Sequence, residues 1–325
     1  MAIDHCNIAA RVAAAAGLEE IKSYAESCLS EIYMITGRLR EAIEVGEHAL
    51  ASFEILGNPW WASAPTIASG TLGRLAQSAI YLGEWDLGLS YCKRALTHGA
   101  TVNDLRLQVV GLYRTGSVHI QRGDIERGVR YCDEALALKP IPYDVAMAKV
   151  FRGYGQIKAG RLDEGIADLR QAITWFEQSH LSHVRLPATL RLAEGYLRRG
   201  EVAAAQELID DVLSNSRAIG YRYLEGLAEH LMAECLALES PVLAMQQVTD
   251  AQRIFEATEA RNDLAKALVT RAKLSQSNPV EARRLLNEAM AIFEALGTID
   301  EPTRVSEALA ALDRGSPIRL LARRA

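Results

Sequence analysis

The chain has 325 residues, 49% of them hydrophobic, with 41 acidic against 36 basic side chains and a net charge of -5. That balance lacks the basic excess that phosphate-backbone binding needs, and so excludes nucleic acid as a natural partner. Five cysteines without a CxxC pair form neither a disulfide framework nor a zinc-site spacing, and are expected to be reduced core residues. No apolar run reaches the roughly 18 residues that span a bilayer, and the opening MAIDHCNIAARVAAAAG lacks a basic segment followed by a Leu-rich one. A soluble, cytoplasmic protein without a membrane partner is expected.

In chain order, 1–17 reads as a leading helix, Ile3 to Ala16. Seven helix pairs then follow over 19–57, 65–99, 103–139, 143–179, 184–219, 221–258 and 261–297, with a closing helix at 301–313. Their first helices, termed A, are expected at 19–35, 65–82, 103–121, 143–158, 184–198, 221–237 and 261–275, each followed by a helix B. No segment sustains period-two alternation, and Ala and Leu predominate, so the class is all-α.

The pairs declare themselves by self-similarity: TGRLREAIEVGEHAL, LGEWDLGLSYCKRAL, RGDIERGVRYCDEAL, AGRLDEGIADLRQAI and RGEVAAAQELIDDVL are one pattern written five times. Gly37, Gly83, Gly123, Gly160 and Gly200 each stand five residues before a small residue, Ala42, Gly88, Gly128, Gly165 or Ala205. Seven residues further come Ala49, Ala95, Ala135, Ala172 and Val212; Ala244 with Ala251 and Ala282 with Ala289 are weaker copies. A glycine there lets helix A stop and turn back at positive φ. Two small positions seven apart share one face of helix B and let the A and B backbones approach closely. Phe53, Phe176, Phe255 and Phe293 fall four residues after the second small position, and Gly57, Gly220 and Gly297 four residues later read as helix B terminators. Ala9 and Gly17 repeat the same eight-residue separation, so Ile3 to Ala16 reads as a helix B without its helix A. A chain cut from a longer protein explains this, with a native capping helix as the alternative. Weak self-association through that end is the accompanying expectation.

The alternation G-x-[LWIV]-x-x-[AG]-[ILV] followed by A-[LI] resembles that of tetratricopeptide repeats over nearly the whole chain. The resemblance implies a right-handed superhelical solenoid. These units are longer than the usual repeat of about 34 residues. With FEILG and FEALG closing helix B, they are similar to arrays of bacterial AAA-ATPase and nucleotide-cyclase proteins and of maltose-activator-like regulators.

No GxxxxGK[ST], GxGxxG, HExxH or GxSxG signature is present, so no catalytic residue, cofactor or metal is assigned and the chain is not read as an enzyme. His180 and His183 in SHLSH read as a solvated turn, and Cys92 and Cys132, at equal offsets from their glycines, as packing residues. Trp60 and Trp61 in LGNPWWASAP are either a binding anchor or local packing. The strongest binding candidates are Arg74, Arg114 and Arg191, each nine residues before its turn glycine, with Arg152 one residue out of phase. The resemblance implies that this phase of helix A faces the concave groove. It also places there, in chaperone-binding members, an Asn or Arg of a carboxylate clamp, whose other positions here are Ser27 and Glu31. Tyr113 and Tyr154, on or beside the same face, supply aromatic contact area or wedge between A helices. The alternative for the arginines is internal pairing, for instance with Glu194 or Asp124.

These features point to an interaction or scaffolding array, a regulatory segment of a larger bacterial signalling protein that holds an acidic peptide or protein in its groove. The alternative is a small-molecule sensor controlling an attached ATPase, cyclase or transcription-factor module. The two differ in geometry, since a sensor requires one enclosed pocket of a few hundred Å³.

Overall fold

Helix capping and helix-on-helix contact at small residues together lay out the fold. A computed structural model describes residues 2–55, 65–316 and 318, apart from the side chains at 52–55 and 65–67. The leading helix is α1 (Ala2–Ala15). The pairs are α2 (Glu19–Ile35) with α3 (Leu39–Ile55), α4 (Pro65–Leu82) with α5 (Trp85–Thr101), α6 (Leu105–Arg122) with α7 (Ile125–Ala137), and α8 (Pro142–Lys158) with α9 (Leu162–Gln178). They continue as α10 (Ser182–Arg199) with α11 (Val202–Ile219), α12 (Arg222–Leu236) with α13 (Pro241–Ala257), and α14 (Arg261–Leu274) with α15 (Pro279–Leu296), and α16 (Glu301–Asp313) closes the stack. No strand occurs among the described residues. Trp60, Trp61 and Gly57 lie outside them, as does the side chain of Phe53.

Five of the seven A helices end by one device. Gly37, Gly83, Gly123, Gly160 and Gly200 all have positive φ, from 79° to 101°. The next residue's amide bonds back to a carbonyl five residues earlier: Arg38 to Tyr33 at 2.8 Å, Glu84 to Ala79 at 2.9 Å, Asp124 to His119 at 2.8 Å, Arg161 to Gln156 at 2.9 Å and Glu201 to Tyr196 at 2.9 Å. This closure satisfies carbonyls that the helix end would otherwise orphan. Helix α6 begins at Leu105 rather than 103, because Asn103 takes a positive φ of 54° and the Asp104 carboxylate accepts from the Leu107 amide at 2.7 Å.

The small positions of helix B are the points of closest contact. Ala42, Ala135, Ala205, Ala244, Ala251, Ala282 and Ala289 have no exposed surface, nor do Phe176, Phe255 and Phe293. A Cβ at Gly165 would lie 2.5 Å from the Gly153 carbonyl oxygen, and one at Gly128 2.6 Å from that of Gly116. Cys92 and Cys132 are buried beside these crossings, where burial raises both thiols, Cys92 to about 12. Leading helix α1 covers Leu29, Tyr33 and Ala42 with Ile3 and Cys6 and leaves Ile8 and Val12 exposed.

The stack curls until its last units meet the A–B turns of its first. The Ile299 amide donates to the Arg122 carbonyl at 2.7 Å, and Arg122 Nε to the Gly297 carbonyl at 3.1 Å. Gly83 packs on Leu296 and Asn262, Gly37 on Thr258 and Arg222, and Arg40 bridges Glu84 and Glu259. At the centre of this closure the buried Lys158 ammonium stands 3.5 Å from Asp300. Burial opposes ionisation of Asp300, but Lys158, Arg304 and Lys266 outweigh it and hold that carboxyl below its ordinary value of 3.8.

Two outcomes are expected. Replacing Gly165 by Ala should destabilise the fold by about 1–3 kcal/mol through overpacking against the Gly153 carbonyl, read as a lower urea midpoint, whereas alanine at the exposed Glu207 should leave it unchanged. Asp300 contributes stability that is present above its unfolded pKa and lost as pH falls through its lower folded one. Wild type should therefore exceed Asp300→Asn in unfolding free energy at neutral pH, and the difference should close below about pH 4.

Candidate functional site

The A helices form the inner wall of the curl, and their equal offsets from the turn glycines stack equivalent side chains on neighbouring helices. Arg74 on α4, Arg114 on α6 and Arg191 on α10 come together around one cavity of about 260 Å³. The intervening helix α8 carries Phe151 at the same offset, nine residues before Gly160, and Phe151 lines the cavity too. Both neighbouring guanidinium groups stand over its ring, Arg114 at 5.2 Å and Arg191 at 4.8 Å from the centroid. Tyr113 lines the same wall, stacked on Phe151 at 5.7 Å between centroids, and burial raises its phenol.

Partners differ among these arginines. Arg74 donates to Ser27 and pairs with Glu31 at 3.4 Å, so the two positions that depart from the chaperone-type clamp hold this arginine. Arg106, also on the wall, pairs with buried Asp144 at 3.4 Å. Arg114 donates to the Gln77 side-chain carbonyl. Arg191 has no hydrogen-bonding or acidic partner among the described residues; it borders the cavity while enclosed between Phe151 and the Tyr154 ring, 5.2 Å away. Burial, and next in strength among the opposing influences the charge of Arg114, lower its pKa. Internal pairing thus holds for Arg74, and for Arg152 below, but not with Glu194, which is taken by Arg198 at 2.7 Å, or with Asp124, which lies by His119 and Arg127.

Two sequence candidates fall outside the cavity wall. One residue of phase turns a side chain by about 100° around a helix, and Arg152 accordingly points to the B helices. It makes a fork on Asp168 at 2.6 and 2.8 Å and bonds Asp133 at 3.0 Å. Tyr154 stands behind Arg191, beside Glu194, Arg198 and Lys266. Conversely, His183 lines the cavity instead of lying in a turn, since α10 begins at Ser182. Tyr81, Tyr143 and Tyr221 also line it, with the Tyr81 and Tyr221 hydroxyls 3.3 Å apart. Phe151 was legible from the nine-residue offset; Tyr143 and Tyr221, near helix starts, carried no periodic signal.

No family model matches the sequence, and no curated protein matches it. A crystal structure of a Rap protein complexed with competence and sporulation factor is similar, with a TM-score of 0.65 at 17% identity over 86% of this chain and 76% of that one. The fold is a tetratricopeptide-like solenoid. The P58(IPK) TPR domain aligns over 94% of this chain and 86% of that one at 15% identity, with a TM-score of 0.30. No described helix is long and apolar enough to cross a membrane, and no group of three or more His, Cys, Asp or Glu among the described residues is placed to hold a metal ion.

The contrast between Arg152 and Arg191 is measurable without a ligand. Arg152→Ala should lower the urea midpoint by about 1–3 kcal/mol in unfolding free energy, since it strands the Asp168 carboxylate, which is only 6% exposed. Arg191→Met should leave the midpoint unchanged or raise it, because it removes an enclosed cation that no carboxylate balances.

Proposed function

We propose that this chain is a partner-binding module, not an enzyme, whose inner cavity captures an acidic segment of a peptide or protein. The observation that carries this reading is the convergence of Arg74, Arg114 and Arg191 from three A helices on one cavity, two of them without an acidic partner among the described residues. Half-buried cations without an acidic partner add little to stability by themselves; an incoming carboxylate accepts from an arginine fork and neutralises it. A Rap protein of similar fold is complexed with another factor, which accords with a partner-holding role. The wider setting, a regulatory segment of a larger bacterial signalling protein similar to the AAA-ATPase, cyclase and maltose-activator-like arrays, belongs to the same proposal. So does weak self-association through the exposed Ile8 and Val12 of α1.

A second reading is favoured by one observation: the site is a compact cavity of about 260 Å³ at which several A helices converge. That is the scale of a small ligand, and it suits a sensor whose array signals to an attached module.

A synthetic Glu-rich peptide tests the first reading. Wild type should bind it, and Arg114→Ala and Arg191→Ala should each weaken binding by about 1–3 kcal/mol, on the order of tenfold to a hundredfold, without loss of folded protein. Acidic peptides that bind both variants as tightly as wild type would sink the partner-capture reading.

A further inference from the structure

Charges on the inner wall are arranged in two tiers with opposite logic. In the tier where the curl closes, each cation faces a carboxylate of the chain itself: Lys158 with Asp300 at 3.5 Å, Lys266 with Asp263 at 2.9 Å, Arg198 with Glu194 at 2.7 Å and Arg304 with Glu301 at 3.0 Å. In the cavity tier Glu31 balances Arg74 and Asp144 balances Arg106. Arg114 and Arg191, sharing the Phe151 ring, are balanced by no carboxylate among the described residues. The chain thus supplies an anion for every inner cation named here except the two that meet in the cavity.

Hydrogen-bonding groups show the same deficit. Arg74 Nε, Arg114 Nε and Gln77 Nε2 are buried donors without an acceptor among the described residues, and the Arg191 guanidinium contacts the Phe151 and Tyr154 rings but no acceptor among them. All four residues line the cavity, and they come from α4, α6 and α10. Two cations and donors arriving from three helices exceed what one carboxylate satisfies, because it carries a single charge and two oxygens in one plane. A phosphomonoester carries a charge of about -1.5 to -2 at pH 7 on three acceptor oxygens. It meets both demands at once.

We propose that the cavity is the seat of a dianionic phosphoryl group, held between Arg114 and Arg191 with Arg74 and Gln77 completing its donors. This deepens the binding reading above, resting on the same cavity, and names the chemistry that the site selects. Phe151 holds the two guanidinium planes near one another before the ligand arrives, so their mutual repulsion is met by folding instead of by binding. The remaining volume, walled by Tyr143, Met147 and Val150, receives the organic part of the ligand.

The test is thermal unfolding and calorimetric titration of the full chain with inorganic phosphate, sulfate, acetate and chloride at matched ionic strength. Phosphate and sulfate should bind saturably and raise the melting temperature, acetate and chloride should not, and Arg191→Met and Arg114→Met should each weaken phosphate at least tenfold. Arg191→Lys, which keeps the charge but not the fork, should recover only part of the loss, and each variant's melting temperature without ligand confirms that it is folded. Phenyl phosphate and a phosphoserine peptide, each compared with its unphosphorylated form, then distinguish a small-molecule source from a peptide one; preference for either phosphorylated form supports the seat. Absence of saturable phosphate and sulfate binding, or binding that persists undiminished in both methionine variants, overturns it. The Glu-rich peptide assay separates the two failures: if that peptide still depends on Arg114 and Arg191, acidic-partner capture stands and only the phosphoryl seat falls.

Discussion

The contact on which this architecture depends is backbone against backbone, where helix B crosses helix A with no side chain between them. At the crossings of α6 with α7 and α8 with α9, a glycine on one helix faces the carbonyl oxygen of a glycine on the other, leaving no room for a Cβ. On α3, α11, α13 and α15 alanine at the equivalent place is wholly buried, and α5 again has a glycine, Gly88. Such an approach fixes the rotation of each A helix about its own axis, since a rotated helix would bring a larger side chain into the gap. Once that rotation is fixed in every unit, residues at one offset from the turn must line one wall. Convergence of Arg74, Arg114, Phe151 and Arg191 on a single cavity is a consequence of helix packing several residues away.

Closure of the curl is a second constraint, and electrostatics carries it. A stack of helix pairs has no intrinsic reason to meet itself, because each unit buries its face against its neighbours alone. Here the turn after α15 reaches the turn after α6, and the Ile299 amide and Asp300 carboxylate find partners in Arg122 and Lys158. Gly123, at a φ of 101°, serves twice: it ends α6 and leaves space for Asp300, which would meet a Cβ at less than 3 Å. Tyr81, which lines the cavity, stacks on Tyr223 at 3.7 Å, and the Tyr223 hydroxyl donates to Asp263 of the last units at 2.6 Å. The curl thereby gathers several A helices around one site. The same sequence motifs that suggest a scaffold therefore yield a volume suited to a compact group.

Local signals determined the class, the number of helix pairs, the five A–B turns and the buried face of helix B. Each of these depends on residues within one unit: a glycine that can take positive φ, a small residue five positions later, a phenylalanine at fixed offset. Arg74, Arg114 and Arg191 were legible for the same reason, as copies of one position. Arg152 was not a fourth copy, because a single residue of phase carried it to the B side and to Asp168. Only the folded array decided which cations would stay without a carboxylate. Asp300 comes from the turn after α15 and Lys158 from α8 in the middle of the stack, so their pairing depends on the curvature accumulated over many units. A small rotation per repeat is invisible in any one repeat, and summed along the stack it brings the last units onto the first and leaves Arg114 and Arg191 facing one cavity.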